Sequence, residues 1–152
     1  MWKPNFYASV HWIIKNSKWE ILFAKRWKKA SWSVWYYEIS GWHIDWWETF
    51  FEALKREMKE ELTIDILEKD VELKYTIHRI IEDWREYIDF YYEIKNFEWN
   101  IKIGEIDKCS DLIYKNRNDL DSINLLNHDK IIIQNIEKWL SFSELYLKDN
   151  EY

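Results

Sequence analysis

From Glu48 onward the hydrophobic period of the chain changes. Phe51, Leu54, Met58 and Leu62 recur at three- and four-residue steps, which places them on one stripe of an amphipathic helix. Thr49 or Asp45 is positioned to cap its start, and the helix is expected to end near Thr63. On both sides of it the pattern is that of strands. Residues 6–15 alternate and include Val10, Ile13 and Ile14, residues 20–25 form a second run, and the turn-like Asn16-Ser17-Lys18-Trp19 between them suggests a β-hairpin. After a polar loop over 26–35, residues 36–39 read as a short strand. Beyond the helix, 64–68 read as a connector. Residues 71–81 and 87–94 read as strands joined around 82–85, 95–110 as a polar loop and 112–114 as a last short strand. His128 to Leu140, with Ile132, Ile133, Ile136 and Leu140 on one side, reads as a C-terminal helix. No repeat, linker or composition break divides the chain, so residues 1–152 are expected to form a single domain, either α+β or an α/β/α sandwich.

Composition narrows the chemistry. With 47% hydrophobic and 33% charged residues the chain can bury one core and stay soluble. Its net charge of −6 and the lack of a basic stripe argue against a nucleic-acid binder, which needs cations facing the phosphate backbone. A small anionic substrate is compatible with that charge, because a bound metal inverts the local field. A single cysteine, Cys109, allows no internal disulfide and fits a reducing, cytoplasmic setting. No apolar run reaches the roughly 20 residues of a membrane span. The oligomeric state is not set by these features, and a dimer is compatible with them.

The helix carries a second pattern. Glu57, Glu60 and Glu61 stand at i, i+3 and i+4, so their side chains share a face. Like charges at that spacing repel by about 0.2–0.5 kcal/mol per pair, and a divalent cation would remove the repulsion. Hard carboxylate oxygens suit Mg²⁺ or Mn²⁺. Lys55, Arg56 and Lys59 are interleaved, as on an ordinary solvated face, so the helix alone leaves both readings open.

The residues around it extend the pattern. Arg56-Glu57-Met58-Lys59-Glu60-Glu61, with Glu48 upstream, Ile64 downstream and Tyr37-Glu38-Ile39-Ser40-Gly41 leading in, resembles the Nudix family. That family's motif runs Gly, five residues, Glu, seven residues, then Arg-Glu-aliphatic-X-Glu-Glu-X-Gly-aliphatic. The run from Glu20 to Arg26 and the segment from Glu105 to Leu112 look like further parts of MutT-like members. The resemblance implies an α/β/α sandwich with a mixed sheet between helices. It also implies a Mg²⁺-dependent pyrophosphohydrolase acting on a nucleoside diphosphate derivative, with a nucleoside triphosphate as the first expectation. It makes Glu57 and Glu61 the main metal ligands, Glu60 a further ligand or base, and Gly41 a carbonyl donor. Arg56 would orient the glutamates with Glu48 in its network, and Glu105 would be an additional acid.

The glycine positions of the motif are not kept. Trp42 stands at its first glycine, Trp47 in the loop before Glu48, and Thr63 after the helix. Trp19, Trp35 and Trp99 fall in turn-like places, and Trp12 at a position often small in the family. The chain has 12 Trp and 2 Gly, together close to the roughly 7% that glycine alone usually makes up. These positions read as sites that want glycine, as when a UGA codon is translated as tryptophan in place of glycine. Taken as written, Trp42 and Trp47 suggest the alternative of an impaired Nudix-fold nucleotide-binding module. Among the remaining candidates, His43 is within reach of a phosphate but reads more simply as a strand residue. His11, His78 and His128 lack zinc spacing, and Cys109 reads as a structural thiol. Gly104 carries no signal. Phe6, Tyr36, Tyr37 and Tyr91 read as core rather than as nucleobase platforms.

Overall fold

The computed structural model describes residues 5–27, 34–82 and 85–147. The centre of the 82–85 connection, most of the 26–35 loop and Trp2, Trp32 and Trp84 lie outside the described residues.

The order of elements is β1 (Asn5–Ile14), β2 (Ile21–Arg26), β3 (Tyr37–Glu38), β4 (Gly41–His43), α1 (Phe50–Leu62), β5 (Val71–Ile81), β6 (Arg85–Ile94), β7 (Cys109–Lys115), α2 (Asn127–Glu137) and β8 (Phe142–Leu147). A five-stranded mixed sheet runs β4-β1-β6-β5-β8, and a three-stranded sheet runs β3-β2-β7. In the first, β1 lies parallel to β6 and β5 parallel to β8, with the other pairs antiparallel. The second is antiparallel throughout.

Alternation along β1 explains the layering. Val10, Trp12 and Ile14 join Ala53, Leu54, Met58 and Leu62 of α1 in one core. Ile13 points the other way, into a second core with Tyr75, Ile77 and Tyr91 and with Ile132 and Ile133 of α2. A sheet buried on both faces requires just this two-sided apolar pattern. The result is the expected mixed sheet between helices.

Two expectations are corrected. The first two strands do not form a hairpin ladder: one isolated bridge, Lys15 to Ile21, joins them, after which β1 pairs with β6 and β2 with β7. Both strands are apolar on both sides, so each finds a full-length partner of its own. The strand ending at Lys115 is not the last either. β8 follows α2 and pairs with β5 at the sheet edge. Its inward residues Ser143, Leu145 and Leu147 give only a short period-two signal. It is held by side chains: Tyr75 Oη donates to Ser143 Oγ, and Asn135 Nδ2 of α2 donates to Tyr75 Oη at 2.7 Å.

The helix start is as the sequence implies. Thr49 Oγ1 accepts from the Glu52 N–H while the Glu52 carboxylate accepts from the Thr49 N–H, a reciprocal capping box. Thr63 ends the helix with φ 59°. No helix among the described residues is long and apolar enough to cross a membrane.

Candidate active site

Helix α1 packs against β1 and β4 and separates its three motif glutamates by environment. Ala53, Glu57 and Glu61 follow one another at four-residue steps along the edge turned to the sheet. Glu57 is only 2% exposed, whereas Glu60 points to solvent. Arg56 holds the cluster together. Its Nε and Nη2 donate to the two carboxylate oxygens of Glu48 at 2.7 and 2.9 Å, and its Nη1 donates to Glu57 Oε1 and lies 3.4 Å from Glu60 Oε2. Such bidentate, charge-assisted pairing fixes orientation as well as energy. It holds the Glu48 carboxyl below its usual range, chiefly through the Arg56 hydrogen bonds.

Glu61 faces a cavity of about 320 Å³ lined also by Trp12, Glu38, Ser40, Gly41, Trp42, Glu105 and Lys108. Its Oε1 accepts from Ser40 Oγ at 2.9 Å and its Oε2 from Trp12 Nε1 at 3.0 Å. Burial still wins over these two hydrogen bonds and pushes the carboxyl up to about 7, helped by the nearby Glu57 and Glu38. Glu57 and Glu38 are likewise pushed up by burial, against the opposing pull of Arg56 and Arg26. Lys108 Nζ pairs with Glu105 Oε1 at 2.8 Å and sits 5.1 Å from the centre of the Trp42 ring. The other Glu105 oxygen is buried without a hydrogen-bond partner.

A second cavity, of about 260 Å³, opens on the α2 face of the sheet. It shares Arg26, Glu38, Gly41 and Trp42 with the first and adds Ser9, His11, His43, Arg79, Tyr87 and His128. Below it lies a buried network. Asp89 accepts from Ser9 Oγ and from Arg79 Nε, and His11 Nε2 stands 3.7 Å from Asp89 Oδ1. Burial pushes the Asp89 carboxyl up, but His11 and Arg79 outweigh it and the net shift is downward. His128 is lowered to about 3, by burial first and then by the charges of Arg79 and His11. It is therefore a neutral imidazole, and its Nδ1 has no partner. Asp129 Oδ2 accepts from the Ile39 N–H at 2.9 Å, and burial raises this carboxyl well above the ordinary range.

The structure therefore joins Arg56, Glu48, Glu57 and Glu60 in one clamp and puts Glu61, Gly41 and Glu105 around one cavity. Gly41 is packed so closely on β1 that a Cβ there would lie 2.2 Å from the Val10 carbonyl oxygen. Gly104, silent in the sequence, has a similar reason: a Cβ would lie 1.9 Å from the Glu60 carbonyl oxygen, where the 104 loop closes against the end of α1. Cys109 lines the cavity half-buried, with its thiol pushed up by burial, which leaves little thiolate for chemistry. Tyr37 and Tyr91 are core residues as expected, but Phe6 is 53% exposed. His43 lines the second cavity and stacks on Tyr87 at 5.9 Å.

Sequence reasoning passed over Ser40, Lys108, Arg26, Glu38 and the Arg79–Asp89 pair. Ser40 had a signal, its place just before Gly41. Arg26, Glu38 and Lys108 lie in segments that resemble the family but hold no position of their own in its motif, and the Arg79–Asp89 pair has no local pattern to mark it.

Among the described residues no three His, Cys, Asp or Glu side chains already surround one point as a metal cage would. The donor chemistry nevertheless fits a hard divalent cation. Two carboxyls, Glu57 and Glu61, are pushed upward, and Glu105 adds an unpartnered buried oxygen to the cavity that Glu61 lines.

A family model described as the NUDIX domain matches residues 6–151. No curated protein matches the chain. Solved structures do. A MutT NUDIX hydrolase from Burkholderia pseudomallei superposes with a TM-score of 0.74 at 21% identity, over 86% of this chain and 97% of that one. The MutT protein from Methanosarcina mazei Go1 superposes with a TM-score of 0.76 at 14% identity, over 91% and 97%. The mutator MutT protein from Bacillus halodurans gives 0.74 at 15% identity, over 96% and 93%. At these identities the structural likeness speaks for the fold.

Proposed function

Because this chain belongs to the Nudix family, a family of hydrolases, we propose that it cleaves a pyrophosphate bond in a nucleoside diphosphate derivative, with Mg²⁺ or Mn²⁺ as cofactor. A nucleoside triphosphate, giving the monophosphate and pyrophosphate, is the preferred substrate. The carrying observation is the Arg56 clamp on Glu48 and Glu57, set beside a cavity that Glu61 and Glu105 line.

Glu57 and Glu61 would hold the cation, with Glu60, Glu105 and the Gly41 carbonyl as further donors. Bound there, it supplies charge neutralisation on the phosphates and acidification of water. The remaining steps belong to this chain. Arg56 keeps Glu57 and Glu48 in one orientation, so the acids need no reordering on binding. Lys108, on the cavity wall, offers a cation to a phosphate oxygen. A water oxygen bonds to phosphorus while its proton passes to a carboxylate of the site, with Glu60 as the candidate base, the bridging P–O bond breaks, and the leaving pyrophosphate carries away the electron pair. The second cavity, with neutral His128 and the Tyr87 ring, would take the nucleoside end. The net charge of −6 and the lone cysteine agree with a small-molecule substrate and a cytoplasmic setting.

A pyrophosphate-release assay with Mg²⁺ over a panel of nucleotides tests this reading. Turnover that survives Glu57→Gln and Glu61→Gln would sink it. One observation favours a second reading, a nucleotide-binding module: both Glu61 oxygens are already bonded, by Ser40 and by the Trp12 indole. Nucleotide binding without turnover, even in the Trp42→Gly, Trp47→Gly double variant, would select it.

A further inference from the structure

We propose that positions 19, 35, 47, 99 and 139, all tryptophan in this chain, are glycine positions of the working protein. Six described non-glycine residues have positive φ: Trp19 (62°), Trp35 (74°), Trp47 (71°), Thr63 (59°), Trp99 (74°) and Trp139 (60°). Five of the six are tryptophan, although the whole chain has only 12 tryptophans among 152 residues. Tryptophan has no liking for this region: its Cβ crowds the backbone there, and a bulky residue with positive φ is an outlier. Glycine enters it freely.

The local geometry names the motifs. After α2, the Trp139 N–H donates to the Ile136 carbonyl and the Leu140 N–H to the Asn135 carbonyl, each at 3.0 Å. That pair of bonds is a Schellman ending, with residue 139 at the position where glycine is strongly favoured. Before α1, the Glu48 N–H reaches the Asp45 carbonyl at 3.3 Å, so Trp47 is the third residue of a turn, where positive φ asks for glycine. Between β1 and β2, the Trp19 N–H donates to the Asn16 carbonyl at 2.9 Å and the Asn16 N–H to the Glu20 carbonyl at 3.1 Å. This is a three-residue turn whose last member is left-handed, again a glycine place.

Little offsets the strain beyond Trp27 and Lys25 packed against the half-exposed Trp35 and Lys15 over the Trp19 ring. Trp19, Trp99 and Trp139 are mostly exposed and Trp47 is 98% exposed, so the indoles bury little apolar surface in return. Trp46, also exposed, is not among the positive-φ residues and serves as an internal control. The proposal stands apart from the hydrolase reading, since it rests on backbone geometry alone.

The test replaces each of the five by Gly and, separately, by Ala, with thermal unfolding as readout. Glycine should raise Tm by roughly 2–4 °C per site, the shift expected for one relieved left-handed residue in a chain of this size. Alanine, which keeps a Cβ, should not, and Trp46→Gly should bring no gain. Equal effects of Gly and Ala at all five sites, or a loss of Tm with Gly, would overturn the proposal. Peptide mass spectrometry on the protein purified from its own cells gives the direct answer: glycine at the five positions is expected, and tryptophan there overturns it.

Discussion

Arg56 holds Glu48 with two parallel hydrogen bonds, Nε to Oε1 at 2.7 Å and Nη2 to Oε2 at 2.9 Å. The same guanidinium reaches Glu57 through Nη1. One planar group thus ties the loop before α1 to the buried acid inside it, which a lysine cannot do. Arg56→Lys is expected to keep the fold and to weaken divalent-metal affinity and kcat/KM by about 10–100-fold, the usual cost of losing a group that orients a ligand. Calorimetric titration with Mn²⁺ checks the binding arm without relying on turnover.

The metal itself should be visible in stability. A cation that binds only the folded chain adds about 2.7 kcal/mol at a concentration of 100 times its Kd. Mg²⁺ or Mn²⁺ should therefore raise Tm, and Glu57→Gln with Glu61→Gln should abolish the rise. An undiminished rise in the double variant would place the ion elsewhere.

The Arg79–Asp89 pair is buried, with Asp89 fully so. Removing one partner strands a charge. Asp89→Ala should cost about 3–5 kcal/mol, whereas replacing both partners by apolar residues of similar volume should cost much less. Urea unfolding of the two variants makes the comparison.

His128 predicts an acid-side loss of stability. Burial lowers its folded-state pKa to about 3, against roughly 6.5 in the unfolded chain. Between those values only the unfolded state takes the proton, so stability is full above about pH 6.5 and falls as pH drops towards 3. Asp129, raised by burial, acts in the opposite sense, so the contribution must be isolated by His128→Gln. Relative to that variant, the parent chain should lose on the order of 3 kcal/mol by pH 4. Parallel pH profiles of the two proteins would remove His128 as the cause.

Trp42 borders both cavities. Trp42→Gly should join them into one groove and lower KM for a nucleotide by roughly 10-fold, a gain of about 1.4 kcal/mol in binding. KM measured against a tripolyphosphate control reads this out. The control lacks a nucleoside to enter the second cavity, so an equal change for both would mean that the second cavity is not used.

Much of this was legible in the chain. The stripe Leu54, Met58 and Leu62 faces the core and Thr49 is the cap, while the meeting of Glu48, Arg56 and Glu57 was implied by the family resemblance. These are local relationships, set by helical periodicity and capping chemistry within a few turns. Trp19, Trp35, Trp47 and Trp99 were also legible as glycine places, because turns impose local backbone rules, whereas Trp139 read as part of a helix running to Leu140 and Trp12 and Trp42 do not have positive φ.

Other features had no such local mark. The chain could not show that β1 and β2 would part into different sheets, since two-sided apolar strands fit several partners. Nor could it show that Ser40 and Trp12 would close on Glu61, or that His11, Arg79, Asp89 and His128 would meet under a second cavity. These contacts join residues dozens of positions apart, and only the packing of α1 and α2 on opposite faces of one sheet brings them together. The sequence by itself determined the acidic helix, its apolar stripe and its cap, through short-range geometry. The tertiary structure alone decided which of its glutamates is buried and what surrounds each one, because burial is a property of the assembled layers.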